Sequence, residues 1–321
     1  MKEKNMLRQN KNKIICFFIA LLLAAVTIYA VFQGGGVSFH ALWARLKEAS
    51  WQGIVLAVIS MLGFIYFEGE AIRVIVCHMG YPVKRNRGFI YAAADVYFSA
   101  ITPSASGGQP ASAWFMIQDG IPGTAVMTAL LLNLIMYTLA ILTIGLLDIF
   151  FFPGVFLHFS IGCRVLILIG GLVLAGLAVL FFLLLKKQSI VKALGLFLIT
   201  LLTRLHLKRL AHRLEKRLDV SIDKYSQCAS LVLNGKTMLL KAYLFNLLQR
   251  LSQIIVTLFT FAAMHGDWRR LPELLATQIY VVLGSNCVPI PGGVGVTDYL
   301  MLQGYKQLMD RGSAYQLEIL S

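Results

Sequence analysis

Acidic residues are scarce in this chain of 321 residues: 15 Asp and Glu stand against 29 Lys and Arg, and charge of either sign makes up only 14% of the sequence. Hydrophobic residues make up 58% and the mean hydropathy is +0.74, which excludes a soluble domain of this length and leaves an integral membrane protein. Cysteine is sparse too. Cys16, Cys77, Cys163, Cys228 and Cys287 are odd in number and widely spaced, so neither a disulfide framework nor a zinc-ligand spacing is present. No HExxH, GxSxG or Walker sequence occurs and the six His are scattered; this removes ATP-driven pumping and the motif-bearing hydrolases, and implies no cofactor and no metal. The basic excess, formally +14, would suit nucleic acid. It alternates with apolar spans instead of lining one groove, so no nucleic-acid partner is expected.

What the chain does contain is apolar sequence in lengths that cross about 30 Å of hydrocarbon. Residues 14–32, 51–77, 121–151, 165–185 and 238–264 read as five full spans. The first is too long for a signal-peptide core and lacks a small-residue cleavage site, so a retained span is expected. Lys2, Lys4, Arg8, Lys11 and Lys13 precede it, Lys84, Arg85 and Arg87 follow the second span, and eleven Lys and Arg lie between 186 and 236. The positive-inside rule places these clusters, and the N-terminus, in the cytoplasm. A short surface helix is expected at 39–47 on the outer side.

Two proline-and-glycine runs interrupt the apolar sequence, Thr102-Pro103-Ser104-Ala105-Ser106-Gly107-Gly108-Gln109-Pro110 and Pro289-Ile290-Pro291-Gly292-Gly293-Val294-Gly295. A spanning helix cannot keep its hydrogen bonds through such a run unless protein or a water-filled cavity replaces them, so each break is expected to line a site. Between the cytoplasmic Lys84 loop and the Lys186 loop only one crossing, 121–151, is available. Residues 88–118 must then enter and leave on the cytoplasmic side as a re-entrant hairpin with the first break at its tip. The arms around the second break are each about 15 residues, marginal as separate spans, so 274–309 reads as a second hairpin entering from outside. Two arms that each cross on a tilt are the alternative. The fold class expected is therefore an all-α polytopic helical bundle, about five full spans plus two re-entrant hairpins in inverted orientation, within a single domain over 1–321.

Arg250 falls near the middle of the last full span, where a charge costs several kcal/mol unless it faces a cavity or a partner. Asn246, Arg250, Gln253 and Thr257 follow at spacings of four, three and four and form one polar stripe. Arg250 is a candidate for a lipid phosphate and equally for a buried ion pair with Asp298 or Asp95. At the first tip, the Ser104 and Ser106 hydroxyls and the amides of Gly107 and Gly108, with Pro110 at the first helical position, suit a phosphate at a helix N-terminus. A tight turn is the plainer reading of the same residues. Glu68 and Glu70 are placed near the inner end of the second span, and Glu70 is close enough to Arg73 to pair locally. The basic segment 186–236 reads as an amphipathic element adsorbed to the anionic inner leaflet, or as a solvated connector.

The two tips, Ala100 to Pro110 and Val288 to Val296 with an acidic residue following, resemble the lysylphosphatidylglycerol synthase transmembrane family over nearly the whole chain. This is the flippase-like domain of the bacterial multiple peptide resistance factor. The resemblance implies an all-helical bacterial plasma-membrane domain with re-entrant helices. It implies movement of phosphatidylglycerol-type lipid, lysyl-phosphatidylglycerol included, between leaflets, and resistance to cationic antimicrobial peptides. A phospholipid is the expected bound molecule, held by Arg250, Asn246, Gln253, Asp95, Ser104, Ser106, Gly107, Gly108 and Gln109, with Pro291, Gly292, Gly293 and Asp298 from the second tip. Asp298 stands where the family pattern leads one to expect Glu. The chain stops at Ser321 where the family continues into another span, which suggests a truncated form. No aminoacyl-transferase domain is present, so whether the chain is an enzyme stays open; the alternative function is the membrane portion of a phosphatidylglycerol lysyltransferase whose catalytic domain lies elsewhere. An aminoacyl-phosphatidylglycerol synthase partner and a homo-oligomer are both compatible with this reading.

Overall fold

A computed structural model describes residue 43 and residues 46–102, 106–204, 208–285, 296–306, 308–309 and 311–320. In chain order the helices are α1 (Trp51–His78), α2 (Arg85–Ile101), α3 (Gly108–Gln118), α4 (Gly123–Phe151), α5 (Pro153–His158), α6 (Ile161–Lys186), α7 (Gln188–Arg204), α8 (Lys208–Asn234), α9 (Lys236–Ala263), α10 (Leu271–Ser285), α11 (Val296–Tyr305) and α12 (Arg311–Leu320). No strand occurs among the described residues. Among the described residues four helices, α1, α4, α6 and α9, are long and apolar enough to cross a membrane. They match four of the spans read from hydropathy; the span at 14–32, and most of the surface helix at 39–47, lie outside the described residues.

Local sequence explains where these helices stop. Gly80 and Gly120 take positive φ (91° and 88°) just past the ends of α1 and α3, the left-handed conformation that closes a helix C-terminus and favours glycine. Pro82 and Pro122 then bar any continuation. At the start of α6 the Ser160 hydroxyl accepts from the Cys163 amide at 3.4 Å, a side-chain cap. The outward face of α6 exposes Leu168, Leu172 and Val179, apolar side chains that suit lipid and would not suit water.

Helices α1 and α9 pair antiparallel along their whole length. At one end the Ser50 amide donates to the Ala263 carbonyl at 2.8 Å, and a Cβ on Gly53 would lie 2.7 Å from the Ala263 Cβ. At the other end His78 Nε2 lies 3.2 Å from the Leu231 carbonyl, just before α9 begins. Helix α2 crosses α1 where two glycines touch: a Cβ on Gly69 would lie 2.6 Å from the Gly88 carbonyl oxygen, and one on Gly88 2.7 Å from that of Gly69. Small residues are what permit this approach, since in lipid helices associate through packing and polar contacts more than through hydrophobic burial.

Two pairs of short helices turn back on themselves. In the first, Arg87 and Tyr91 of α2 both bond Asp119, which follows α3, so the open ends meet. The second is α10–α11, in which Tyr305 bonds Gln278 and Arg270 donates to the Leu308 carbonyl at 3.0 Å. The open end of the first pair lies beside the C-terminal end of α1, where Gly88 meets Gly69. That of the second lies toward the C-terminal ends of α9 and α4, where Tyr280 donates to the Phe152 carbonyl at 3.3 Å. The two pairs thus have their open ends at opposite ends of the bundle.

Each end also has its own apolar core. One gathers Ile72, Tyr91, Met116, Leu132, Val232 and Met238; the other gathers Ile141, Ile167, Ile254, Tyr280, Leu300 and Tyr305. The basic segment read as surface-adsorbed is two helices, α7 and α8, and the second half of α8 is built into the bundle. Tyr225, Ala229 and Val232 are buried there, and the Tyr225 hydroxyl donates to the Leu184 carbonyl at 3.1 Å.

Candidate functional site

Between the two apolar cores lies a polar layer. On α9, Asn246, Gln249, Arg250, Gln253 and Thr257 fall at helical spacing, so they share one face, turned toward α1 and α4. Asn246, Gln249, Arg250 and Thr257 are all buried. The Arg250 guanidinium carbon sits 4.0 Å from the ring centre of Tyr137 on α4 and 5.3 Å from that of Phe64 on α1. Such cation–π contacts gain strength when water is excluded. Arg250 Nε donates to Gln249 Oε1 at 3.3 Å, and Nη1 donates to Gln253 Oε1. The Gln249 amide passes the contact on, its Nε2 donating to Glu68 Oε2 at 3.1 Å. Asn246 Nδ2 donates to Asn133 Oδ1 on α4 at 2.9 Å.

The first helical pair supplies a second acid. Asp95 on α2 accepts from Gln109 Nε2 at 2.6 Å and from the Ser99 hydroxyl at 3.2 Å. Gly108 is required beside it, because a Cβ there would lie 2.0 Å from Asp95 Oδ1 and 2.1 Å from Ser99 Oγ. Glu68 lies within electrostatic range of both Asp95 and Arg250. Glu68 thus stands between a second buried carboxylate and the guanidinium, with the Gln249 amide bridging it to Arg250. Asp148 is also buried, but beside Tyr280 near the far end of α4, away from this layer. At the open end of the α2–α3 pair, the Arg87 guanidinium and then the Tyr91 hydroxyl hold the Asp119 carboxyl below the usual carboxylate range.

The family described as the lysylphosphatidylglycerol synthase TM region matches residues 17–316. The chain belongs to this family. No curated protein and no solved structure matches it. Membership of the lysylphosphatidylglycerol synthase transmembrane family, together with four membrane-length helices, makes it a multi-pass membrane protein of a lipid-related family.

Within that family frame the residues singled out by sequence divide into three groups. Arg250, Asn246 and Gln253 share one face as the spacing requires, and Asp95 and Gln109 bond each other at the first tip. Ser104, Pro291, Gly292 and Gly293 lie outside the described residues, as does the side chain of Asp298. Three details differ from expectation. The ion pair sought for Arg250 with Asp95 is not among the ion pairs of the described residues, and the one with Asp298 falls on a side chain outside them; two glutamines and two aromatic faces hold Arg250, and Asp95 turns to Gln109. At the tip, the Gly107 amide is already given to the Thr102 hydroxyl at 2.9 Å, while Ser106 is exposed. Pro110 occupies the third position of α3, not the first, where its missing N–H still costs no intrahelical bond.

Glu68 is the residue whose depth sequence reading misplaces. It faces Gln249 at mid-span, while Glu70 is the acid that pairs locally, bonded by Arg73 Nη2 at 2.7 Å. The available signal is Gln249 itself, a second long amide beside Arg250 inside an apolar helix. A buried amide of that length requires a polar partner across the interface.

Proposed function

We propose that this chain moves phosphatidylglycerol-type phospholipid, lysyl-phosphatidylglycerol included, between the leaflets of a bacterial plasma membrane, with its N-terminus in the cytoplasm. The observation that carries this reading is Arg250. A guanidinium has five N–H donors, and the bonds of Arg250 use two of them, both to neutral amides. A cation placed between two apolar cores, steadied by aromatic faces and without a direct carboxylate partner among the described residues, suits a phosphate that arrives and leaves. In this reading the pairs α2–α3 and α10–α11 are re-entrant hairpins that approach the Arg250 layer from opposite sides, as alternating access requires. Asp95 and Glu68 balance Arg250 when no lipid is present. Resistance to cationic antimicrobial peptides follows if the lipid moved outward carries a lysyl group that lowers surface charge.

Transbilayer movement of labelled phosphatidylglycerol in proteoliposomes tests this. The parent chain accelerates it and Arg250→Ala does not; equal rates for the two would overturn the proposal. The family description favours a second reading, in which the chain is the membrane portion of a phosphatidylglycerol lysyltransferase acting with a catalytic domain located elsewhere. Lipid movement that requires such a partner, and is absent from the chain alone, favours that reading over the first.

A further inference from the structure

A cleft of about 610 Å³ opens where α1 ends and α9 begins, lined by Arg73, His78, Lys236 and Lys241 together with Val74, Cys77 and Met238. Its lining contains no Asp or Glu. Arg73 is held by Glu70, which also lies 3.8 Å from Arg85, so its position is fixed. Lys236 and Lys241 are exposed, and neither takes part in an ion pair among the described residues. The first turn of α9 opens into the same cleft through Lys236, Thr237 and Met238, and its N-cap, Gly235, offers no side-chain acceptor for the first amides. His78 closes the floor, its ring against Gly235, where an added Cβ would lie 2.5 Å from Nε2. Both helices contribute a cationic and an apolar residue to the lining: Arg73 and Val74 from α1, Lys236 and Met238 from α9.

We infer that this cleft is a second anion site, which takes the phosphate of an anionic phospholipid from the leaflet at that end of the bundle. A phosphodiester matches the Lys236 and Lys241 ammonium groups and the helix terminus, and Val74, Cys77 and Met238 match the glycerol and first methylenes. The site is separate from the Arg250 layer and stands whether or not that layer transports lipid. It lies at the ends of the two helices, α1 and α9, that carry Glu68 and Arg250.

Native mass spectrometry of the purified full chain in detergent, with added phosphatidylglycerol, phosphatidylcholine or inorganic phosphate, tests the assignment. Each lysine near an anionic lipid surface contributes roughly fivefold in affinity, so Lys236→Gln with Lys241→Gln is expected to weaken phosphatidylglycerol binding roughly 25-fold. Arg269→Gln with Lys306→Gln, at exposed positions outside the cleft, leaves it unchanged. Phosphatidylcholine binds more weakly than phosphatidylglycerol to the parent. Failure of inorganic phosphate to displace the lipid supports a lipid occupant; displacement keeps the anion site and assigns it to a soluble phosphate. Equal retention of phosphatidylglycerol by the parent and the Lys236/Lys241 variant, or an equal loss in the Arg269/Lys306 variant, would overturn the inference.

Discussion

The two helical pairs differ most in what fills the seam between their arms. In α2–α3 the seam is polar: Asp95 lies against Gln109, Ser99 and the bare backbone of Gly108. In α10–α11 it is mostly apolar, with Gly284 against the Leu300 side chain and Gly304 against Thr277 and the ring of Phe159. Among the described residues, then, the first seam holds a buried acid, Asp95, while the second is a packed contact; the side chain of Asp298 on α11 lies outside them.

The largest effect expected belongs to neither pair but to the residue between them. Arg250→Ala should lower lipid transbilayer rates roughly 10- to 100-fold, matching the ~1.5–3 kcal/mol of a charge-assisted hydrogen bond. Proteoliposome assays read this directly. Next comes the contrast between glycines. A methyl on Gly108 meets Asp95 Oδ1 and the Asp95 backbone carbonyl at 2.6 Å, whereas one on Gly304 meets only side chains that can shift, the nearest at 2.5 Å. Gly108→Ala is expected to cost about 1–3 kcal/mol of stability and Gly304→Ala the low end of that range, which thermal melts in detergent can rank. Equal costs would erase the distinction between the seams.

An effect of the same order is expected of Gln109→Leu, which among the described residues leaves Asp95 the Ser99 hydroxyl as its side-chain donor. Loss of one partner of a buried polar pair costs about 1–3 kcal/mol, and lipid movement should fall with it; hydrogen exchange would show α3 loosening while α10 is unaffected. The smallest effect concerns pH. Because Arg87 depresses the Asp119 carboxyl, the contact is fully present above the ordinary aspartate pKa of about 3.9 and is lost as pH falls through the lower folded-state value. Melts taken from pH 5 to pH 3 should decline more steeply for the parent than for Asp119→Asn. No such ionised clasp joins the ends of α10 and α11 among the described residues, where Tyr305–Gln278 and Arg270 to a carbonyl do that work.

The four membrane-length helices were legible from hydropathy alone, because apolar length is a property of one segment. So was the face shared by Asn246, Arg250 and Gln253, since helical spacing is also local. The first break was legible from its proline and glycine content, and α2 ends and α3 begins there. What could not be read was the register between helices. Nothing in 51–78 says that Glu68 faces Gln249 while Glu70 faces Arg73, because that depends on the depth at which α1 and α9 cross. The same applies to α8: Tyr225, Ala229 and Val232 have helical spacing, but the basic first half of the segment hides the apolar contacts of its second half.

The antiparallel pairing of α1 with α9 also sets an order of events. Glu68 and Gln249 are 181 residues apart in the chain, so α1 exists long before its partner is made. Contacts of such long separation are slow to form because loop closure must precede them. Glu68 therefore enters the membrane without the amide that later holds it, and the polar layer is assembled only once α9 is in place. A chain halted before α9 would hold intact helices and an acid with no Gln249 to receive it, which makes completion of this layer the checkpoint that separates inserted helices from a finished protein.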